Sequence, residues 1–170
     1  YMAKVNKKLG TNYQLFNYYG AEDADRVIVA MGSICDVAEE VIDYLNKHGQ
    51  KVGLVKVRLF RPFAPEKLIA AIPATAKKIA VLDRTKEPGS LGEPLYQDVV
   101  TAMANAGRTD VVICCGRYGL VSKDTPPASV FAVYKELKKD NPKAQFTIGI
   151  VDDVTKLSLK EDKNCPNTAA

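Results

Sequence analysis

The stretch Arg26–Leu45, RVIVAMGSICDVAEEVIDYL, decides the fold of this chain. It opens with a short apolar run, which is typical of a buried strand. From Ile34 to Leu45 the apolar residues recur at helical spacing, so the strand is followed by a helix with one buried stripe. Ser33 or Asp36 can cap the start of that helix. A strand followed directly by a helix is the repeating unit of α/β proteins.

The same alternation continues along the chain. Apolar runs predict further strands over residues 51–57, 78–83, 110–115 and 145–151. Helical spacings lie between these runs, and Thr125 is the expected N-cap of the last helix. Right-handed crossovers between parallel strands then give an α/β fold, a three-layer αβα sandwich around a sheet of about five mostly parallel strands.

The chain divides into three predicted segments. Residues 1–25 form an N-terminal entry arm, residues 26–151 form the αβα domain, and residues 152–170 form a linker to a further domain. The aromatic residues of the arm pack either on the domain or on a neighbour, and the sequence leaves both open. Because the sequence starts with Tyr1 rather than Met, we expect a segment of a larger protein.

Composition narrows the possible functions. The 170 residues are 46% hydrophobic and 26% charged, which is ordinary for a globular domain. The net charge of +4 is spread along the chain and lacks the clustered basic stripe of a nucleic-acid-binding protein, so we expect no nucleic-acid partner. No apolar run approaches the roughly 20 residues that span a membrane, so we expect no membrane partner.

Catalytic and metal-binding patterns are sparse. The four cysteines lack CxxC spacing, which argues against a zinc or iron–sulfur site. His48 is the only histidine and follows a predicted helix at the opposite edge from the strand ends, so a Ser-His-Asp arrangement is not expected. Asp152 and Asp153 are more typical of a solvated turn than of a cation site. We therefore predict no catalytic, cofactor-binding or metal-binding residue in this chain.

Basic residues follow the predicted strands at the point where each strand ends. If the strands are parallel, their carboxyl ends share one edge of the sheet, where ligands and partners of such sheets gather. The candidate edge residues are Arg58, Arg61, Arg84, Lys86, Glu87, Arg117 and Lys123. Three explanations remain open: an anionic ligand, a docking face for another domain, or scattered surface ion pairs of little consequence.

The loop DRTKEPGSLGEPL, residues 83–95, contributes three of these candidates. Its GSLG segment is a weak phosphate-loop signal, and the chain contains neither GxGxxG nor GxxxxGK[ST]. Loops of this length inside compact α/β domains are usually functional. The loop is therefore interpreted as a contact loop that reaches a neighbouring domain.

Five segments resemble one family. They are IVAMGSICDVAEEVIDYL, GLVKVRLFRPF, VLDRTKEPGSLGEPLYQDV, GRYGLVSKDTPPASV and FTIGIVDDVTKLSL. Between about Leu15 and Leu159 the chain resembles the second domain of pyruvate:ferredoxin (flavodoxin) oxidoreductases, which is similar to the C-terminal domain of transketolase. The resemblance implies one antiparallel strand in the sheet, expected to be the fifth, FTIGIV, or whichever strand lies at an edge.

The resemblance also implies a parent enzyme. That cytoplasmic enzyme, usually a homodimer, oxidatively decarboxylates pyruvate to acetyl-coenzyme A with thiamine diphosphate, magnesium and iron–sulfur clusters, and reduces ferredoxin or flavodoxin. The residues that bind these cofactors belong to other domains, so none is carried over here. The implied role of this chain is a scaffold between neighbouring domains that is inactive alone. The alternative is a module that contributes part of a coenzyme A or other phosphate-ligand site at the basic edge.

Overall fold

A computed structural model describes residues 1–151, 154–162 and 165. Asp152 and Asp153, weighed above as a cation site, lie outside the described residues, as does most of the last eight residues of the predicted linker. Among the described residues, no helix has the length and the apolar character needed to cross a membrane.

Strands and helices alternate along most of the chain. The helices are α1 (Met2–Leu9), α2 (Ile34–Lys47), α3 (Pro65–Ala71), α4 (Pro94–Asn105) and α5 (Pro127–Lys138). The strands are β1 (Phe16–Gly20), β2 (Arg26–Ala30), β3 (Val52–Val57), β4 (Lys78–Asp83), β5 (Val112–Arg117) and β6 (Gln145–Thr147). A single 3₁₀ turn, Leu120–Ser122, follows β5 in the described part of the chain.

The sheet has the order β1-β3-β2-β4-β5-β6. Strands β2 to β6 pair in parallel, whereas β1 runs antiparallel along β3 at one edge. The mostly parallel α/β sheet with one antiparallel strand is confirmed, but the sheet has six strands rather than about five. The additional strand is β1, which lies inside the predicted entry arm and is also the antiparallel one. Of the two alternatives predicted for the antiparallel strand, FTIGIV is wrong, since β6 pairs in parallel with β5, and a strand at an edge is confirmed, since β1 lies at an edge of the sheet.

Strand β1 forms because its aromatic side chains pack against the rest of the domain. Phe16 is buried and contacts Phe63 edge-on at 5.5 Å between ring centroids. The Tyr19 hydroxyl donates a hydrogen bond to the Asp43 carboxylate on α2 at 2.7 Å. Phe16 and Tyr19 of the predicted arm therefore pack on this domain, whereas Tyr1 is exposed.

Two apolar clusters cover the two faces of the sheet. Alternate residues of β2 divide between them: Ile28 faces the cluster that includes α2 and α5, while Val27 and Val29 face the cluster that includes α3 and α4. The Tyr134 hydroxyl crosses the first cluster and donates to the Gly53 carbonyl at 2.8 Å. This three-layer packing fixes the strand ends relative to one another.

The observed boundaries differ from the predicted ones near the C-terminus. Helix α5 begins one residue later than expected, with Pro126 rather than Thr125 as N-cap. Strand β6 ends at Thr147 rather than at 151. Beyond it, Ser158 bridges to Thr147 and the Leu159 side chain is 9% exposed. A stretch within the predicted linker thus packs against the edge of the sheet.

Candidate interdomain docking edge

The parallel register brings the carboxyl ends of β2 to β6 to one edge, and the predicted candidate residues lie in the segments that leave this edge. The structure does not give them one common role. Two arginines are engaged on the surface by neighbouring side chains, one arginine is buried, and the remaining four residues lie on two exposed loops.

Arg58 and Arg61 follow β3 and find partners within the chain. The Arg58 guanidinium donates through Nε to Asn17 Oδ1 at 2.8 Å and lies over the Tyr13 ring, 4.6 Å from its centroid. Arg61 donates to Asp98 Oδ2 at 2.5 Å and lies 3.9 Å from the centroid of the Phe60 ring. Cation–π contacts and ion pairs of this exposed kind contribute about 0.5–1 kcal/mol each.

Arg117 lies in the interior rather than on the exposed edge. Its residue is 8% exposed, and its guanidinium pairs through Nε with the fully buried carboxylate of Glu93. It also donates through Nη2 to Gln145 Oε1 at 3.3 Å, which links the end of β5 to β6. The second Glu93 oxygen accepts the backbone N–H of Glu87 at 2.7 Å. The buried pair therefore holds the loop after β4 against the sheet.

Asp83 anchors the other end of the same loop. Its buried carboxylate accepts the backbone N–H groups of Leu95 and Tyr96 at 3.0 and 3.1 Å, so it caps the N-terminus of α4 from the end of β4. Burial raises the pKa of Asp83 above its usual value, although these two hydrogen bonds oppose the shift. Sequence reasoning missed both Asp83 and Glu93, because nothing in the sequence shows which of the loop's charges turn inward.

Between these anchors, residues 84–92 form a loop with an exposed tip. Gln97 on α4 donates to Ser90 Oγ at 2.7 Å and to the Gly92 carbonyl at 2.6 Å, which fixes the loop from below. Gly92 is required because a Cβ atom there would collide with the Tyr96 ring. Leu91, which lies between Ser90 and Gly92, is 91% exposed. Lys86 and Glu87 are also exposed on this loop.

The loop after β5 presents a second exposed apolar residue. Val121 has φ 57° and ψ 37°, which is the left-handed helical region, and its residue is 88% exposed. This conformation costs an L-residue about 1–2 kcal/mol and is an outlier for a β-branched side chain. Arg84 donates through Nε to the Gly119 carbonyl at 3.4 Å, so the loops after β4 and β5 adjoin. Lys123 lies beside Gly149 in the segment after β6.

We call the exposed charged and large apolar residues of these two loops the loop surface. They are Arg84, Lys86, Glu87, Leu91, Val121, Lys123 and Asp124. The surface combines two protruding apolar side chains with three cations and two carboxylates. This mixture of apolar anchors within a charged surround is the usual anatomy of a protein–protein contact.

A cavity of about 320 Å³ adjoins the loop surface. It is lined by Arg84 and Lys123 together with Ser33 and Ile34, the N-cap and first residue of α2. The Tyr118 hydroxyl at its wall donates to the Met31 carbonyl at 3.1 Å, and burial raises the pKa of Tyr118. A larger groove of about 990 Å³ lies between α1, β1 and α3, and it is lined by none of the predicted edge residues.

The described residues do not fit a metal cluster. Cys35 and Cys114 are buried in apolar surroundings, and burial raises the pKa of each thiol to about 11, whereas metal binding needs thiolates. In the described part of the chain, no group of three or more His, Cys, Asp or Glu residues could hold a metal ion. His48 ends α2 at the opposite edge, with Nδ1 2.7 Å from the Tyr44 carbonyl oxygen.

The fold places the chain in the α/β class of proteins, and a solved structure shares this fold. A solved structure, the 2-oxoglutarate:ferredoxin oxidoreductase from Magnetococcus marinus with 2-oxoglutarate, coenzyme A and succinyl-CoA bound, superposes with a TM-score of 0.52. The match covers 81% of this chain and 22% of that one at 23% sequence identity, and it shows a shared α/β fold.

Sequence comparisons then identify the family. Residues 24–124 match the family model for pyruvate:ferredoxin oxidoreductase core domain II, and the chain belongs to that family. It is 55% identical over 159 residues to the pyruvate:ferredoxin oxidoreductase of Moorella thermoacetica. It is 50% and 49% identical to the pyruvate-flavodoxin oxidoreductases of Enterobacter agglomerans and Rhodospirillum rubrum. These matches cover 94–96% of this chain but 14% of each relative's length.

Proposed function

We propose that this chain is an interdomain scaffold of a larger pyruvate:ferredoxin or pyruvate:flavodoxin oxidoreductase, and that the loop surface docks on a neighbouring domain of that enzyme. Membership of the core domain II family and the 14% share of the relatives' length support a role within a longer polypeptide. The chain contributes architecture to that enzyme and no catalytic group of its own.

One observation carries the docking role. The loop of residues 84–92 is fixed from inside by Asp83 and by the buried Glu93–Arg117 pair, while its tip places Leu91 in solvent. A preorganised tip loses less conformational entropy on binding and therefore docks more tightly.

The whole enzyme, in this proposal, oxidatively decarboxylates pyruvate to acetyl-coenzyme A and passes the electrons to ferredoxin or flavodoxin. Thiamine diphosphate, magnesium and iron–sulfur clusters would be held by its other domains, in keeping with the burial of Cys35, Cys114 and Cys115 among apolar residues. We further propose a homodimer in the cytoplasm. The buried thiols of Cys35, Cys114 and Cys115 agree with a reducing compartment.

Charge reversal in the full-length polypeptide tests the docking role. The double variant Arg84→Glu with Lys123→Glu is expected to expose the domain junction to limited proteolysis and to lower pyruvate-dependent acceptor reduction at least tenfold. The matched control, Lys47→Glu with Lys138→Glu, makes the same change in net charge near the ends of α2 and α5, at the opposite edge. Equal behaviour of the two double variants would refute the proposal.

A second candidate function is a module for part of a phosphate-bearing ligand such as coenzyme A. The 320 Å³ cavity beside Arg84 and Lys123 favours it, because the N-terminus of α2 adds a positive dipole to two cations, and the Asp124 carboxylate, which also lines the cavity, offsets part of that positive potential. Calorimetric titration of this chain with millimolar coenzyme A tests it. Heat that saturates in the wild type and vanishes in the double variant supports the module, whereas no heat above dilution rules out an autonomous site.

A further inference from the structure

We infer that Val121 is the apolar anchor of the loop surface and inserts into an apolar socket, rimmed by carboxylates, on a neighbouring domain of the same enzyme. This inference rests on the proposed function, because it names the residue and the partner chemistry through which docking occurs.

The backbone of Val121 is the first reason. The residue adopts the left-handed helical region, and so does Ser122 with φ 55°. Glycine and asparagine adopt this region at least cost, and a turn that needed only the backbone shape would be met by either. A β-branched residue there is strained, and such strain is characteristic of residues with a function beyond the turn itself.

The placement of the side chain is the second reason. Val121 is 88% exposed, so little of the domain packs against its side chain to offset the strain. The loop that carries it nonetheless has a defined turn. The Gly119 carbonyl accepts from Arg84 of the neighbouring loop, and within the turn the Lys123 N–H donates to the Leu120 carbonyl at 3.2 Å. The loop thus presents an apolar side chain outward from a defined backbone.

The charged residues around Val121 indicate which kind of partner surface would bind it. Arg84, beside Gly119, and Lys123, beside Gly149, flank Val121 with positive charge, and the exposed Asp124 carboxylate leaves this part of the surface with a net positive charge. A complementary partner therefore carries carboxylates around an apolar depression, the arrangement in which a central anchor is desolvated and the rim is charged. The Moorella thermoacetica relative carries this domain within a chain about seven times its length, so the partner is sought in the same polypeptide.

The inference is tested by one substitution that should shift the midpoint of thermal unfolding in opposite directions in this chain alone and in the full-length enzyme. In this chain alone, Val121→Gly removes the strain and is expected to raise the midpoint of thermal unfolding by roughly 2–4 °C. In the full-length enzyme the same substitution removes the anchor and is expected to lower the midpoint. Val121→Asn, which tolerates the left-handed region but is polar, is expected to change both midpoints in the same directions as Val121→Gly.

Lys156→Gly is the matched control. Lys156 also has a positive φ, 58°, but it lies outside the loop surface, so this substitution should raise the midpoint in both contexts. If Val121→Gly raised the midpoint of the full-length enzyme as much as that of the chain alone, Val121 would not be an anchor. The docking proposal would still stand in that case if Arg84→Glu with Lys123→Glu disrupted assembly of the enzyme. If this double variant had no effect, the docking proposal itself would be refuted.

Discussion

Arg61 lies just beyond the end of β3 and Arg117 is the last residue of β5, and each pairs with a carboxylate, yet the two pairs differ in burial. The side chains of Arg61 and Asp98 are 55% and 28% exposed, whereas those of Arg117 and Glu93 are 10% and 1% exposed. Water already solvates the first pair, so removing one of its partners leaves the other charge solvated and costs little free energy. Removal of one partner from the second pair would leave a buried charge without its counterion.

The largest predicted effect falls on the buried pair. Glu93→Ala leaves the Arg117 guanidinium and the Glu87 N–H without their acceptor, and we expect it to lower the free energy of unfolding by about 3–5 kcal/mol. Urea denaturation of this chain measures the loss. Glu93→Gln retains an acceptor and should cost clearly less. A loss below about 1 kcal/mol for Glu93→Ala would show that the pair does not hold the loop.

Asp83 tests the second anchor of the loop. Asp83→Ala removes the acceptor for the Leu95 and Tyr96 N–H groups, and loss of such a helix cap costs about 1–2 kcal/mol. Urea denaturation should show this loss, while Asp83→Asn, which retains one acceptor oxygen, should lose less. If both variants matched the wild type, α4 would not depend on this cap.

The pH dependence of stability should also depend on Asp83. Burial raises its folded-state pKa above the unfolded value, so between the two values the folded state holds more protons than the unfolded state. Its contribution to the free energy of unfolding therefore falls as pH rises through that window and is constant above it. Subtracting the Asp83→Asn profile from the wild-type profile isolates this fall. A difference that rises with pH would contradict the assigned shift.

The smallest effect is predicted for Arg61. Arg61→Ala loses one exposed ion pair with Asp98 and one contact with the Phe60 ring, so we expect the free energy of unfolding to fall by at most about 1 kcal/mol. Because the ion pair is exposed, 1 M salt should remove part of the difference between variant and wild type. A loss comparable with that of Glu93→Ala would contradict the contrast between the two pairs.

The sequence predicted the layers of the fold and the edge at which the candidates lie, because apolar periodicity and strand order depend on local patterns. It did not predict β1, because apolar and polar residues alternate only weakly along this strand. Contacts with α2 and with Phe63 stabilise the strand instead. The sequence also did not show that the candidate residue Arg117 is buried. Burial of a charge depends on its partner, and Glu93 is 24 residues away along the chain.

Hydrogen exchange is the most direct test of the central claim that the loop surface is a docking face. Amide exchange would be compared between this chain alone and the full-length polypeptide. We expect slower exchange in the full-length protein for residues 86–91 and 120–123, and unchanged exchange for residues 58–63, whose arginines have partners within the domain. Equal exchange of residues 86–91 and 120–123 in the two proteins would contradict it.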